Sequence, residues 1–368
     1  MLVGPAPPPM GGMARYAQDL LESDLARRHR LTLLQDNVPA ALRPRVSTEA
    51  FHWNFIGRDG VLASARVLAF VGRKFVELDR ICRRERIEIV HVLSTAGYGF
   101  FRNAVHIGLA RRRGARTIFH LLGQFDDLYR DSGPRVRALM RRSLDLADVH
   151  IVQSPGLADV LRGMTRRPVH AIFNGVRTAE LAPPDGWAHS DGTTVRMLAL
   201  GTLGQRKGTF DLLDAAERLQ ARRPGIRFIF VGGGEVERFR ALAEGRGLAN
   251  VEFAGAVDDA TRVALLHGSD VFALPSHAEG QPIAILEAMA AGLPILSSTV
   301  GSIPEVVHEA NGLLVRAGDV DAICAGLERL ADDAAWRERL GRGNAREAAA
   351  KYDLPRVFRE IDAVYAEL

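Results

Sequence analysis

The chain has 368 residues, 47% of them hydrophobic and 25% charged, a balance that excludes a disordered or fibrous chain and, at this length, favours two cores over one. Its two cysteines, Cys82 and Cys324, lie far apart without a C-x-x-C spacing, which excludes a disulfide framework and a thiolate metal site and points to a reducing compartment. The net charge of +4 conceals an asymmetry: residues 1–180 hold 28 basic against 17 acidic side chains, and residues 181–368 hold 20 against 27. In chain order, a very short strand precedes the turn Pro5–Met13, and a helix is predicted over Ala14–Arg27. Apolar and β-branched runs predict strands at Leu31–Leu34, Ile87–Leu93, Thr117–Leu121 and His150–Gln153, with helices at Ala65–Arg84 and Arg135–Ala147. The alternation then pauses at Ala182–Thr194, rich in Pro, Gly, Asp, Ser and Thr, which reads as a linker. It restarts with strands at Val195–Leu200, Arg227–Val231, Val251–Ala254, Val271–Leu274 and Ile295–Ser297, and helices such as Phe210–Arg222 and Ile283–Ala291. A last helix covers about Pro355–Leu368.

Strands alternating with longer helices are the pattern of βαβ units and a parallel sheet. The expected fold is therefore α/β, with two Rossmann-like doubly wound domains at residues 1–180 and 195–350, a linker at 181–194, and a helix at 351–368 crossing back to the first domain. Such sheets bind ligands outside the carboxyl ends of their strands, so a cleft between the two is the expected site. The basic first half suits an anionic partner, such as a phospholipid surface, a lipid-phosphate acceptor or nucleic acid; an ordinary solvated Arg-rich surface is the plain alternative for a cluster such as Arg111–Arg113. Residues 1–9 carry neither the basic stretch nor the apolar run of a secretory signal, and the longest apolar stretch, Gln281–Leu296, is interrupted by Glu287. A cytoplasmic chain is expected, peripheral at the inner membrane face.

The most specific string is PSHAEGQPIAILEAMAAGLPILSS at residues 275–298, directly after the strand Val271–Leu274. Pro282 suits the first turn of a helix and Gly292 the position just past its end, so the helix is predicted to start near Gly280–Pro282. Its free N–H groups and positive dipole end form an anion site suited to a diphosphate. Glu279 precedes the helix and Glu287 lies two turns in, roughly 12 Å apart along the axis. That spacing grips two parts of an extended ligand, with Glu279 on sugar hydroxyls and Glu287 on ribose hydroxyls.

The pattern P-S-x-x-E-G-x-P-x-x-x-L-E-A-M-A-x-G-x-P resembles that of the retaining family-four glycosyltransferases (glycosyltransferase group 1) of GT-B fold. The resemblance extends over G-G-x-A-R-Y at 11–16, D-V-F-A-L-P-S at 270–276, V-G-S-I-P-E-V-V at 300–307 and N-G-L-L-V at 311–315. It implies a donor lobe at the C-terminal half, a UDP- or GDP-linked sugar as co-substrate, no cofactor and no metal, and a role in cell-surface polysaccharide or glycolipid synthesis; the basic first half suggests a lipid-linked or polysaccharide acceptor. In the donor lobe, Gly280, Gln281, Pro282 and Ile283 are then expected to meet the sugar through the backbone.

A second element is Gly201-Thr-Leu-Gly-Gln-Arg-Lys-Gly208, at a strand-to-helix turn. Only three lysines occur, Lys74, Lys207 and Lys351, and Lys207 would place an ammonium beside a departing diphosphate. The family pattern resembles G-R-L-x-x-x-K-G; Thr202 stands where an arginine is usual, and Arg206 is the candidate to supply that charge. Gly232 and Gly233, before Gly234 and Glu235, form a counterpart after the next strand. In the first half, Gly11 and Gly12 permit close backbone approach by a phosphate or sugar, and in GT-B enzymes of this kind the corresponding loop closes on donor and acceptor. His120, at a strand end, is expected to face the cleft. Related sequences often read H-L-H-G here, and the register that keeps His120 leaves Leu122 in place of the second histidine. Asp126 and Asp127 follow as candidate acceptor contacts. Asp319-Val-Asp321 matches D-x-D, a metal-site signature of another fold, but its position opening a helix reads as an N-cap. His277, Cys324, Trp53, Trp187 and Trp336 read as structural or surface residues. Competing readings are a nucleotide-sugar epimerase or hydrolase on the same architecture, an inactive transferase in view of Thr202 and Leu122, and a nucleic-acid binder, which lacks the aromatic-rich basic stripe that role needs.

Overall fold

Strands covered on both faces are buried along their whole length, and Val149–Val152, Val271–Leu274 and Ile295–Ser298 are buried at every position, including the polar His150, Ser297 and Ser298. The computed structural model describes residues 1–6, 12–38, 60–94, 98–184 and 193–368. They divide into unit 1, Met1–Phe173 with Pro355–Leu368, and unit 2, Asn174–Leu354.

Unit 1 contains β1 (Leu2–Gly4), β2 (Leu33–Gln35), β3 (Ile89–Ser94), β4 (Arg116–Leu121), β5 (Val149–Val152) and β6 (Val169–Ala171). They form one parallel sheet in the order β2-β1-β3-β4-β5-β6. The helices are α1 (Gly12–Glu22), α2 (Asp24–Arg28), α3 (Gly60–Arg84), α4 (Tyr98–Arg112), α5 (Phe125–Asp131), α6 (Pro134–Leu144) and α7 (Pro155–Arg162). Val90, Val92, Phe100, Ile107 and Phe119 lie at the centre of the core.

Unit 2 opens with the short α8 (Thr178–Leu181) and carries β7 (Val195–Leu200), β8 (Ile226–Val231), β9 (Val251–Gly255), β10 (Val271–Leu274), β11 (Ile295–Ser298) and β12 (Gly312–Val315). Their order is β12-β11-β10-β7-β8-β9, again all parallel. Between and after them run α9 (Thr209–Arg222), α10 (Val236–Gly245), α11 (Asp259–His267), α12 (Ile283–Ala290), α13 (Val320–Asp332) and α14 (Ala334–Lys351); the last helix is α15 (Leu354–Ala366). The strand order reverses between β1 and β3 in unit 1 and between β7 and β10 in unit 2. Doubly wound sheets open a crevice at such a switch point.

Several local departures from the sequence reading have physical causes. The helix expected over Ala14–Arg27 is two, because the Ser23 hydroxyl donates to the Leu20 carbonyl at 2.6 Å and breaks the run. Helix α4 gave no amphipathic signal: Phe100, Ala104, Ile107 and Ala110 are buried while Phe101 and Leu109 add apolar bulk on other faces. The boundary between units falls at Phe173/Asn174, ahead of the stretch 181–194, of which residues 185–192 lie outside the described residues. Gly11, Trp53 and Trp187 lie outside them too. No helix among the described residues is long and apolar enough to cross a membrane.

Candidate active site

In unit 2 the loops after the adjacent strands β7 and β10 meet at the switch point, and glycine makes the meeting possible. Gly208 has φ 71°, and a Cβ there would stand 2.3 Å from the Pro275 carbonyl oxygen. On the other side, a Cβ on Gly232 would stand 1.9 Å from the Gly201 carbonyl oxygen, so the loops after β7 and β8 also touch backbone to backbone. The Leu203 amide donates to the Gly233 carbonyl at 2.8 Å and the His277 amide to the Arg206 carbonyl at 2.8 Å. His277 Nε2 lies 2.6 Å from Asp211 Oδ2, which fixes the second loop to the first turn of α9. His277, read as structural from the sequence, is thus part of the loop fastening.

These contacts bring together side chains 72 positions apart. Lys207 Nζ lies 2.5 Å from Glu279 Oε1, and the Ser276 hydroxyl donates to the same oxygen at 2.9 Å. Arg206 Nη1 lies 3.7 Å from Glu279 Oε2 and donates to the Ala278 carbonyl at 3.2 Å. The Glu279 side chain is 6% exposed, that of Lys207 15% and that of Arg206 39%. A carboxylate removed from water is tolerated only when paired and hydrogen-bonded, and here two cations meet one anion. Of the two cations, Arg206 is the more exposed.

Glu287 also reaches a cation: it pairs with Arg262 of α11, and both side chains are 15% exposed. Nothing in the sequence spacing pointed to Arg262. The start of α12 departs from expectation. Pro282 is the capping residue rather than the first helical one, and both Gln281 and Pro282 are buried. Gln281 Oε1 accepts from the Asn174 amide at 2.5 Å, and Asn174 Nδ2 donates to the Gln281 carbonyl at 3.1 Å. At this helix start Gln281 and Pro282 are buried, while Gly280, Ile283 and Ala284 keep partial exposure. Gly292, with φ 75°, stands just past the helix end.

In unit 1, His120 lies near the end of β4 and is 1% exposed. Its Nδ1 lies 3.1 Å from His91 Nε2, and His91 Nδ1 lies 2.8 Å from the Tyr365 hydroxyl of α15. Tyr16 stands edge-on to His120 with ring centroids 5.5 Å apart. Burial lowers the His120 pKa to about 3 and holds His91 well below its ordinary value, the latter helped by the neighbouring His120. Both are neutral near pH 7. Gly12 opens α1 and is exposed. Asp127 pairs with Arg130 and accepts from Gln124 Nε2 at 3.1 Å. Asp319 caps α13 by accepting from the Ala322 amide at 2.9 Å, and Asp321 lies 2.5 Å from Arg218 Nη1. Arg329 stacks on Trp336 at 4.3 Å, and Cys324 is buried with a free thiol.

Sequence reasoning passed over Ser276, Asp211, Arg262, Asn174, His91 and Tyr365. Ser276 lay inside the quoted motif; the rest are joined to the site only by the fold.

Comparison with known proteins follows the same division. The chain is 33% identical over 197 residues to phosphatidyl-myo-inositol mannosyltransferase of Mycobacterium leprae, covering 53% of this chain and 52% of that protein. It is 33% identical over 168 residues to a GDP-mannose-dependent monoacylated alpha-(1-6)-phosphatidylinositol monomannoside mannosyltransferase of Corynebacterium glutamicum, covering 44% of each. The chain thus spans about half the length of these curated relatives. Sucrose-phosphate synthase of Thermosynechococcus elongatus has a similar fold, with a TM-score of 0.77 at 18% identity over 100% of this chain and 98% of that one. Residues 10–180 match the family model Glycosyltransferase Family 4 and residues 189–347 the model Glycosyl transferases group 1. Two such matches, one on each doubly wound sheet, place the chain among the group 1, family-four glycosyltransferases of GT-B fold.

Proposed function

We propose that the protein transfers a sugar from a nucleotide diphosphate donor, UDP- or GDP-linked, to a hydroxyl acceptor with retention of anomeric configuration and without a metal. The observation that carries this reading is the cluster of Lys207 and Arg206 on Glu279 at the β7/β10 switch point. Lys207 and Arg206 stabilise the negative charge that grows on the departing diphosphate. Glu279 with the backbone of Gly280–Ile283 orients the sugar, and Glu287 receives the ribose hydroxyls. Gly201, Gly232 and Gly233 let the backbone approach the phosphates, while Gly11 and Gly12 belong to the first unit's loop. Because the Glu279 carboxylate already accepts from Lys207 and Ser276, it is a weak nucleophile, which favours front-face attack. The acceptor oxygen bonds to the anomeric carbon on the face from which the bond to the diphosphate breaks, and its proton passes to the departing phosphate oxygen.

The acceptor is a lipid-linked sugar or a polysaccharide, consistent with relatives whose names specify phosphatidylinositol-based acceptors. Peripheral attachment at the inner membrane face is supported by the basic balance of residues 1–180 and by Leu68 and Val76, 55% and 58% exposed on α3. Family membership favours transfer over epimerisation or hydrolysis of the donor, and over nucleic-acid binding.

A thermal-shift screen against nucleoside diphosphates and their sugars tests the donor assignment. A ligand at a hundred times its Kd stabilises the folded state by about 2.7 kcal/mol, so a clear rise in Tm with a UDP or GDP compound is expected. An unchanged Tm with all of them would remove the donor site, and donor turnover that does not depend on an acceptor would replace transfer by hydrolysis.

A further inference from the structure

We propose that Tyr365 and His91 are positioning residues that fix the tautomer of His120, so that His120 presents an Nε2–H donor and not a basic nitrogen to the reacting sugars. The proposal rests on the reading of His120 as a reaction-site residue. Its physical part stands on unit 1 alone.

The three side chains form a buried line. Tyr365 is 6% exposed, and His91 and His120 are each 1% exposed. The Tyr365 hydroxyl lies 2.8 Å from His91 Nδ1, and His91 Nε2 lies 3.1 Å from His120 Nδ1. The two imidazoles are nearly parallel, 20° apart with centroids at 5.3 Å, so the hydrogen bond runs edge to edge between offset rings. A neutral imidazole has one N–H and one accepting nitrogen, so the line can be read in only two directions.

In the first direction Tyr365 donates to His91 Nδ1, His91 is protonated on Nε2 and donates to His120 Nδ1, and the His120 proton sits on Nε2. In the second, His120 carries its proton on Nδ1 and donates to His91 Nε2, whose Nδ1–H then donates to the tyrosine oxygen. That direction leaves the Tyr365 proton unmatched, because His91 Nδ1 is the hydrogen-bond partner that this hydroxyl has among the described residues. A buried O–H without an acceptor is costly, whereas the first direction satisfies every proton up to the last ring. The closed end of the line is the tyrosine and the open end is His120 Nε2. Its proton is then available to a sugar or acceptor oxygen, and this nitrogen cannot take a proton from the acceptor. That agrees with a reaction in which the leaving phosphate takes it.

Long-range proton–nitrogen correlation on the full chain labelled with 15N-histidine tests the array directly. His120 is assigned by the signal lost in His120→Gln, and His91 by the signal lost in His91→Gln. Both rings are expected to be neutral and Nε2-protonated from pH 6 to 8 in the unaltered protein. Tyr365→Phe keeps the ring but removes the donor, and should mix the tautomers at both positions while lowering kcat roughly fivefold, the worth of one ordinary hydrogen bond, at unchanged donor KM. An Nδ1-protonated His120 in the unaltered protein overturns the proposal, as does a Tyr365→Phe variant whose two signals and kcat stay where they were. Should the tautomers be as stated but no sugar be transferred from any donor, the array stands and the transferase reading falls.

Discussion

Units 1 and 2 each contain a six-stranded parallel sheet, yet they place opposite kinds of chemistry at its polar positions. At the β7/β10 switch point of unit 2 the groups are charged: Lys207, Arg206 and Glu279 in contact, with Asp211 and His277 beside them. In unit 1, the polar line from Tyr365 through His91 to His120 is buried and neutral. Burial lowers the pKa of His106 to about 3 and that of His150 to about 4 in the same unit, with Arg102 and Lys74 adding to the effect at His106. A sheet topology therefore decides where a site lies, and the loop residues decide whether it works by fixed charge or by oriented neutral donors. The two designs should fail under different perturbations.

The largest effect is expected in unit 2. Lys207→Ala removes the closest cation from Glu279 and should lower kcat by about 10²–10³, the range for loss of one transition-state donor, with a much smaller loss in nucleoside affinity. Equal losses of turnover and nucleoside binding in steady-state kinetics and calorimetry would give Lys207 a binding role only. The next effect belongs to unit 1. Histidines whose folded pKa is depressed contribute stability that is fully present above the unfolded value near 6.5 and is lost as pH falls toward the folded value. With folded values of about 3 for His106 and His120 and about 4 for His150, each should cost about 2 kcal/mol between pH 7 and pH 5. Hydrogen exchange resolved by segment should show unit 1 opening first in acid. His106→Leu should move that acid transition to lower pH; an acid transition that begins in unit 2 would reverse the contrast. The smallest effect concerns Asp319. Asp319→Ala removes the α13 cap and should cost about 1 kcal/mol in denaturant unfolding, with turnover and its response to added divalent metal unchanged. A loss of turnover restored by metal would return the D-x-D reading.

What could be read from the sequence follows from how far each contact reaches along the chain. The strands Val195–Leu200 and Val271–Leu274 were legible to the residue, since largely apolar runs between turn signals are a local property. Glu279 and Glu287 were singled out by one long motif and Lys207 by a separate strand-to-helix turn. Their partners were not: Arg262 and Glu287 are 25 positions apart, and Tyr365 and His91 are 274 apart. No periodicity joins such residues before the sheet does. The burial of Gln281 was not legible for the same reason, because Asn174, which bonds it, is 107 positions away. His120 was located on its strand, but the ring that turns it into a buried donor comes from the last helix.

That helix has a consequence for how the chain is made. Pro355–Leu368 belongs to unit 1 although all of unit 2 precedes it in the sequence. Asp362 bonds His29 at 2.6 Å, and Phe358 packs edge-on to Tyr16 at 6.1 Å. During synthesis, the second sheet can leave the ribosome complete while the first still lacks its closing piece. The earlier-made half gains its final helix only after the later one, and such sequence-distant contacts carry a large loop-closure cost.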